Sequence, residues 1–112
     1  MTSLRYHPLA VEEIVAAYEF LYENADRETA EDCRRRVLEK ILHCHRYPLH
    51  YTIRRHNVRR ANLERFKEHY LAFMLWSELF VVIALGHAKR RPFYWYRRPK
   101  EFRLNQFRSD RP

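Results

Sequence analysis

The chain has 112 residues, enough for one domain with a single modest core and too few for two. It is 46% hydrophobic and 32% charged with a net charge of +8. No apolar run approaches the roughly 18 residues that a membrane span needs, and the opening residues 1–8 hold no apolar block of signal-peptide length, so a cytoplasmic protein is expected. A single glycine, Gly86, excludes a glycine-rich phosphate loop.

Residues 3–7 alternate as a short strand. Pro8 then opens a helix over residues 9–23, in which Val11, Ile14, Val15, Tyr18, Leu21 and Tyr22 recur at helical spacing, with Glu12 and Glu13 read as first-turn acids. Asp26 caps a second helix, from Arg27 to about residue 45, whose apolar stripe is Ala30, Cys33, Val37, Ile41 and Cys44, widened by Leu38 and Leu42. Cys33 and Cys44 sit about three turns, roughly 16 Å, apart on that helix. They are expected as buried free thiols. The two helices form an antiparallel hairpin. Residues 46–58 read as an ordered loop, 59–66 as a second strand, 70–76 as a third and 79–86 as a fourth, the last two apolar at both parities and therefore covered on both faces. After Pro92 the chain becomes aromatic and basic. The fold class is α+β, a small, largely antiparallel sheet in the order β-α-α-β-β-β with a helical hairpin on one face. Residues 1–98 are expected as the domain and 99–112 as a basic, partly disordered tail.

Charge is segregated along the chain. Residues 1–45 carry six basic and nine acidic side chains, residues 46–88 seven and three, and residues 89–112 nine and two. The chain from residue 46 onward thus suits an anionic partner. His87, ending the fourth strand beside Lys89, Arg90 and Arg91, is a candidate for proton transfer, its neutral form favoured by those cations; a structural histidine in a turn is the plainer alternative. Arg59, Arg60 and Arg65 are expected to converge with Arg90 and Arg91 on the open face of the sheet, with Arg54 and Arg55 nearby, as planar forks for phosphate or carboxylate. Tyr94, Trp95 and Tyr96 could stack bases or lid the core. Lone Gly86 marks a close backbone approach or an unusual dihedral. His43 and His45, two apart on a helix, make a poor chelate, so neither metal nor cofactor is expected.

The succession of Tyr6-His7-Pro8 leading into Ala10-Val11-Glu12-Glu13-Ile14, Pro48, Arg59-Arg60-Ala61-Asn62-Leu63-Glu64-Arg65-Phe66, the apolar hairpin, and His87-Ala88-Lys89-Arg90-Arg91-Pro92 followed by Trp95 resembles the RelE/ParE superfamily of bacterial toxins from type II toxin–antitoxin systems. The resemblance implies a growth-inhibiting toxin held by an acidic, partly disordered antitoxin encoded nearby. RelE-like members cleave mRNA on the ribosome and ParE-like members inhibit DNA gyrase. By resemblance to the cleaving members, Arg60 or Arg65, His87 or Arg90, and Tyr94 would form the catalytic set. Arg54, Arg55, Arg59, Lys89 and Arg91 are expected, from the charge pattern, as nucleic-acid- or anion-binding positions. Ribosome-dependent mRNA cleavage is the expected activity, with gyrase inhibition or a bare binding module as alternatives.

Overall fold

The computed structural model describes residues 2–109. The elements are strand β1 (Ser3–Tyr6), helices α1 (Pro8–Asn24) and α2 (Arg27–Arg46), a 3-10 turn (Pro48–His50), strands β2 (Val58–Asn62), β3 (His69–Trp76) and β4 (Leu79–His87), and helix α3 (Arg98–Ser109). The sheet order is β1-β4-β3-β2; β1 runs parallel to β4 and the other pairs are antiparallel. This is the α+β arrangement expected. Two boundaries differ. The second strand stops at Asn62 because Leu63, although apolar and buried, belongs to the turn that follows. Where a tail was expected from residue 99, Arg98–Ser109 forms α3 instead, with Pro99 and Glu101 in its first turn, positions that suit a helix start. Residues 110–112 lie outside the described part.

Local chemistry sets both long helices. His7 holds extended backbone and its Nδ1 accepts the Leu9 N–H at 3.1 Å, capping α1, while Pro8 occupies the first turn. That start places Glu12 and Glu13 beyond the first turn, so their role is not with the helix dipole. Asp26 caps α2 by accepting the Thr29 N–H at 2.6 Å. The α2 stripe Ala30, Cys33, Val37, Ile41 and Cys44 is buried as read, and both thiols are free. Burial pushes the Cys44 thiol up to about 11, which keeps it protonated and inert. On α1 the inward residues are Ala10, Ile14, Ala17 and Leu21; Val11, Val15 and Tyr22 of the expected stripe are exposed, as are Leu38 and Leu42 of α2.

The sheet has two cores. Toward the helices lie Leu71, Phe73, Phe80, Val82 and Leu85. On the opposite face Val58, Tyr70, Met74, Val81, Ile83 and Ala84 are covered by Trp95 and Phe102 from the C-terminal segment. A bulge permits this division: Ala72 pairs with Ala84 but Phe73 with Val82, so Ile83 is the extra residue and joins Ala84 on the second face. Trp95 is therefore a lid, 2% exposed, donating its indole N–H to the Tyr70 hydroxyl at 3.1 Å.

Gly86 sits opposite Tyr70 in the β3–β4 ladder, with negative φ. The need for glycine is spatial, since a Cβ there would lie 2.1 Å from the Tyr70 ring. That ring is pinned by Trp95 on its hydroxyl and by the Arg60 guanidinium 3.9 Å from its centroid. Gly86→Ala is expected to destabilise by about 1–3 kcal/mol through overpacking, read as a lower urea midpoint. In a Tyr70→Leu background the same substitution should have a smaller effect, and equal losses in both backgrounds would show that the ring is not the obstacle.

Candidate functional site

Beyond Tyr6 the first strand ends, and β4 continues with β3 on one side only: the β1–β4 ladder stops at Val82. Three side chains close that edge. Glu13 of α1 accepts the Leu85 N–H at 3.2 Å. Arg98, at the start of α3, donates to the Ile83 carbonyl at 3.1 Å, and its two terminal nitrogens reach the Glu13 carboxylate at 2.7 and 3.1 Å. Tyr94 donates its hydroxyl to Glu13 Oε2 at 2.5 Å. Burial first, then this bond, pushes the Tyr94 phenol far above its ordinary value, so it stays protonated. Arg90 adds a contact at 3.4 Å to Glu13 and lies 3.7 Å from the Tyr94 ring centroid. Glu13 was missed as a functional residue because its principal partner, Arg98, stands 85 positions away.

Next to this cluster, α1 and the end of the sheet enclose an open groove of about 700 Å³, walled by Ala16, Ala17, Phe20, Leu21, Phe66 and Leu85. Its rim carries Glu68, His69, His87 and Arg90. Phe20 is 63% exposed, large for an aromatic side chain with no partner to cover it. His87 faces Glu68, at 3.3 Å, and the edge of the His69 ring, with centroids 4.9 Å apart; its Nδ1 accepts the Lys89 N–H. His87 thus accepts a hydrogen bond from the turn that follows it, as in the plainer alternative, and the side chains it meets are one carboxylate and one histidine, with Arg90 on the same rim.

The arginines do not share one face. Successive residues of β2 alternate: Arg59 pairs opposite Phe73 and donates to the Tyr51 carbonyl at 2.7 Å, whereas Arg60 pairs opposite Ala72 and lies over Tyr70 on the other side. Arg65, in the turn after β2, is bound to Asp32 of α2, together with Arg35 and Arg36. Burial pushes the Asp32 carboxyl up, but those three guanidinium groups outweigh it and hold the carboxyl below its usual range. Lys89 and Arg91 are exposed, with no side-chain partner among the described residues. The expected convergence of Arg59, Arg60, Arg65, Arg90 and Arg91 therefore does not occur, and the face meant for it is covered by Trp95 and Phe102.

Arg60 instead joins Arg54, Tyr70, Pro92, Phe93 and Trp95 around a narrow cleft of about 160 Å³, with Arg55 stacked 4.7 Å from the Phe93 ring centroid. Of the aromatic trio, Trp95 is a lid, Tyr94 belongs to the Glu13 cluster and Tyr96 alone is exposed. Among the described residues no three His, Cys, Asp or Glu side chains are grouped to hold a metal ion, and no helix is long and apolar enough to cross a membrane.

No protein-family model and no curated protein matches the sequence. Among solved structures, a chain from the chromosomal ParDE TA system of P. aeruginosa superposes with a TM-score of 0.69, covering 78% of this chain and 96% of that one at 18% identity. The fold is RelE/ParE-like. About a fifth of the present chain lies outside that superposition.

Glu13→Gln is expected to destabilise by about 2–4 kcal/mol, because it leaves Arg98, 8% exposed, without its counter-charge. The check is urea unfolding together with trypsin cleavage within 98–103, which should accelerate as α3 loosens. His7 and His69 are both held below the ordinary histidine value, chiefly by burial, with Arg98 next for His7 and His87 for His69. A depressed folded value means the unfolded chain takes up protons first. Stability is therefore full above about pH 6.5 and declines as the pH falls toward the folded values. Urea midpoints at pH 7.5 and 5.5 should show that fall, and His7→Asn, which keeps a capping oxygen, should shrink it.

Proposed function

We propose that this chain is the toxin of a toxin–antitoxin pair and that it acts by binding its target, in the manner of a gyrase inhibitor, rather than by cutting RNA. The observation that carries the reading is the RelE/ParE-like fold combined with the apolar groove beside α1. A groove of about 700 Å³ walled by alanines, Phe20, Leu21 and Phe66 fits the apolar face of an amphipathic segment. The basic balance of the chain suits acidic flanks on that segment, so an antitoxin tail is the natural occupant.

Binding is favoured over cleavage because the groups expected to cut do not come together as a set. His87, Arg90 and Tyr94 share the groove beside α1, but the Tyr94 proton is committed to Glu13, Arg65 is bound to Asp32, and Arg60 lies over Tyr70 on the second face of the sheet. General acid–base work on a phosphodiester needs such groups within hydrogen-bond reach of one phosphate. Ribosome-dependent mRNA cleavage is kept as a second reading on one observation, the cleft shared by Arg54 and Arg60, whose two forks suit a phosphate.

Induced expression should arrest growth, and co-expression of the neighbouring small acidic reading frame should restore it. Purified protein is expected to block supercoiling by gyrase while messages in a translating extract remain whole. Cut messages with unimpaired supercoiling would transfer the assignment to the second reading, and normal colonies would sink both. Phe20→Asp, at an exposed wall of the groove, should weaken the antitoxin complex at least tenfold while leaving the arrest of growth intact.

A further inference from the structure

We infer that the outer surface of α3 and the 54–57 loop form a track for single-stranded nucleic acid that leads into the Arg54–Arg60 cleft. The inference rests on this surface alone and does not depend on the identity of the toxin's target.

The sequence of α3 divides its faces. Arg98, Pro99 and Phe102 point inward, while Lys100 and Arg103 are exposed one helical step of about 4.5 Å apart, and Arg97, the residue before the helix, extends that cationic row. This row lines a groove of about 490 Å³ whose other wall is His56 and Tyr96, both exposed, with ring centroids 6.0 Å apart. The groove and the cleft share no lining residue but are bridged by neighbouring groups: Arg55, next to His56, stacks on Phe93, which walls the cleft, and the Tyr96 N–H is bonded to the Phe93 carbonyl at 3.0 Å. The two depressions together present six cations, Arg54, Arg55, Arg60, Arg97, Lys100 and Arg103, against one carboxylate, Glu101.

The wall is held in place before any ligand arrives. His56 and Asn57 take left-handed backbone, φ 55° and 62°, in a turn closed by Arg54 N–H to the Val58 carbonyl at 2.7 Å and Val58 N–H to the Arg55 carbonyl at 2.9 Å. The Asn57 side chain anchors that turn to the Leu75 carbonyl at 3.1 Å. Preorganisation of this kind removes ordering entropy from binding.

Chemistry selects the occupant. An acidic peptide helix would need an apolar stripe to lie on, and the track offers only Leu104 as an exposed aliphatic side chain. Guanidinium forks beside two exposed rings, His56 and Tyr96, the latter with its hydroxyl accepting from Arg97 at 2.8 Å, instead match phosphates next to bases. Bases reach such rings only when unstacked from a duplex, so the single strand is the fitting form.

The test is fluorescence anisotropy of the full chain with labelled 12-nucleotide mixed-sequence single strands, one DNA and one RNA, and with the corresponding duplex. Binding should favour the single strands over the duplex and fall with salt at a log–log slope of about −3, as expected for about four to five neutralised phosphates. The triple variant Arg97→Glu, Lys100→Glu, Arg103→Glu should lose affinity at least tenfold, and Tyr96→Ala at least fivefold. A charge-matched triple, Arg5→Glu, Arg34→Glu, Lys67→Glu, lies off the track and should retain binding. Equal losses in the two triples would overturn the track in favour of unspecific attraction. Duplex binding as tight as single-strand binding, or displacement of the oligonucleotide by polyglutamate of equal charge, would overturn it as well. Circular dichroism of each variant confirms that the fold is kept, and Tyr96→Ala, at an exposed position, carries the test if the charge-reversed triple fails to fold.

Discussion

The Glu13–Arg98 bridge is the interaction on which the arrangement depends. β4 is flanked on both sides only as far as Val82, and past that point its backbone groups at Ile83 and Leu85 need partners. Glu13 takes the Leu85 N–H, Arg98 supplies the Ile83 carbonyl, and the two ions satisfy each other across the edge of the sheet. A pair this dry, with side chains 9% and 15% exposed, gains little over an apolar contact of the same volume, because desolvation offsets most of the Coulomb attraction. What it supplies is geometry. It locks α1 on one face of the sheet, α3 on the other, and the end of β4 between them into a single register.

The second core follows from the same constraint. With β3 and β4 apolar at both parities, one face is served by the helical hairpin and the other must find a cover within this small chain. Trp95 and Phe102 provide it, and Arg98, between them in sequence, fixes where they land. The bulge at Ile83 contributes twice: it turns an additional apolar side chain toward Trp95, and it leaves a carbonyl for Arg98 to bind. Tyr70 then fits over Gly86 with its hydroxyl on Trp95, so the one glycine of the chain is spent on a close approach and not on a turn.

Much of this was legible in the sequence, and the misses have physical causes. The stripe of α2, the hairpin of helices, the two-sided β3–β4 pair and the lid role of Trp95 all follow from periodicity or from apolar runs that need cover. The exposed side of α1 was misassigned because Val11, Val15 and Tyr22 are as apolar as the residues that turn inward, and periodicity cannot tell which of two adjoining stripes meets the sheet. α3 was hidden by its low apolar content, although Pro99 and Glu101 in a first turn and the seven-residue interval from Trp95 to Phe102 were readable signs. Glu13 could not be found from local pattern, since everything that gives it a role is distant in sequence. The arginines failed as a set for a simpler reason: neighbours on a strand face opposite ways, so Arg59 and Arg60 cannot serve one site.

The same alternation explains how charge segregated along the chain becomes charge segregated in space. Cations of the N-terminal half are largely answered within the scaffold: Arg34 by Glu31, Arg35 and Arg36 by Asp32, which also takes Arg65, and Lys40 by Glu64. On the second face of the sheet no comparable acids accompany Arg54, Arg55 and Arg60, and the helix that packs there brings Arg97, Lys100 and Arg103 with Glu101 alone among the described acids. An excess of like charge on one surface raises the energy of the folded state through self-repulsion. Here it is borne by exposed guanidinium and ammonium groups, whose hydration and salt screening keep that penalty small. Because α3 is rooted at the Glu13 cluster, which also forms one wall of the apolar groove, the anion-seeking surface and the apolar surface are built from a single buried junction, and each keeps its shape only while that junction holds.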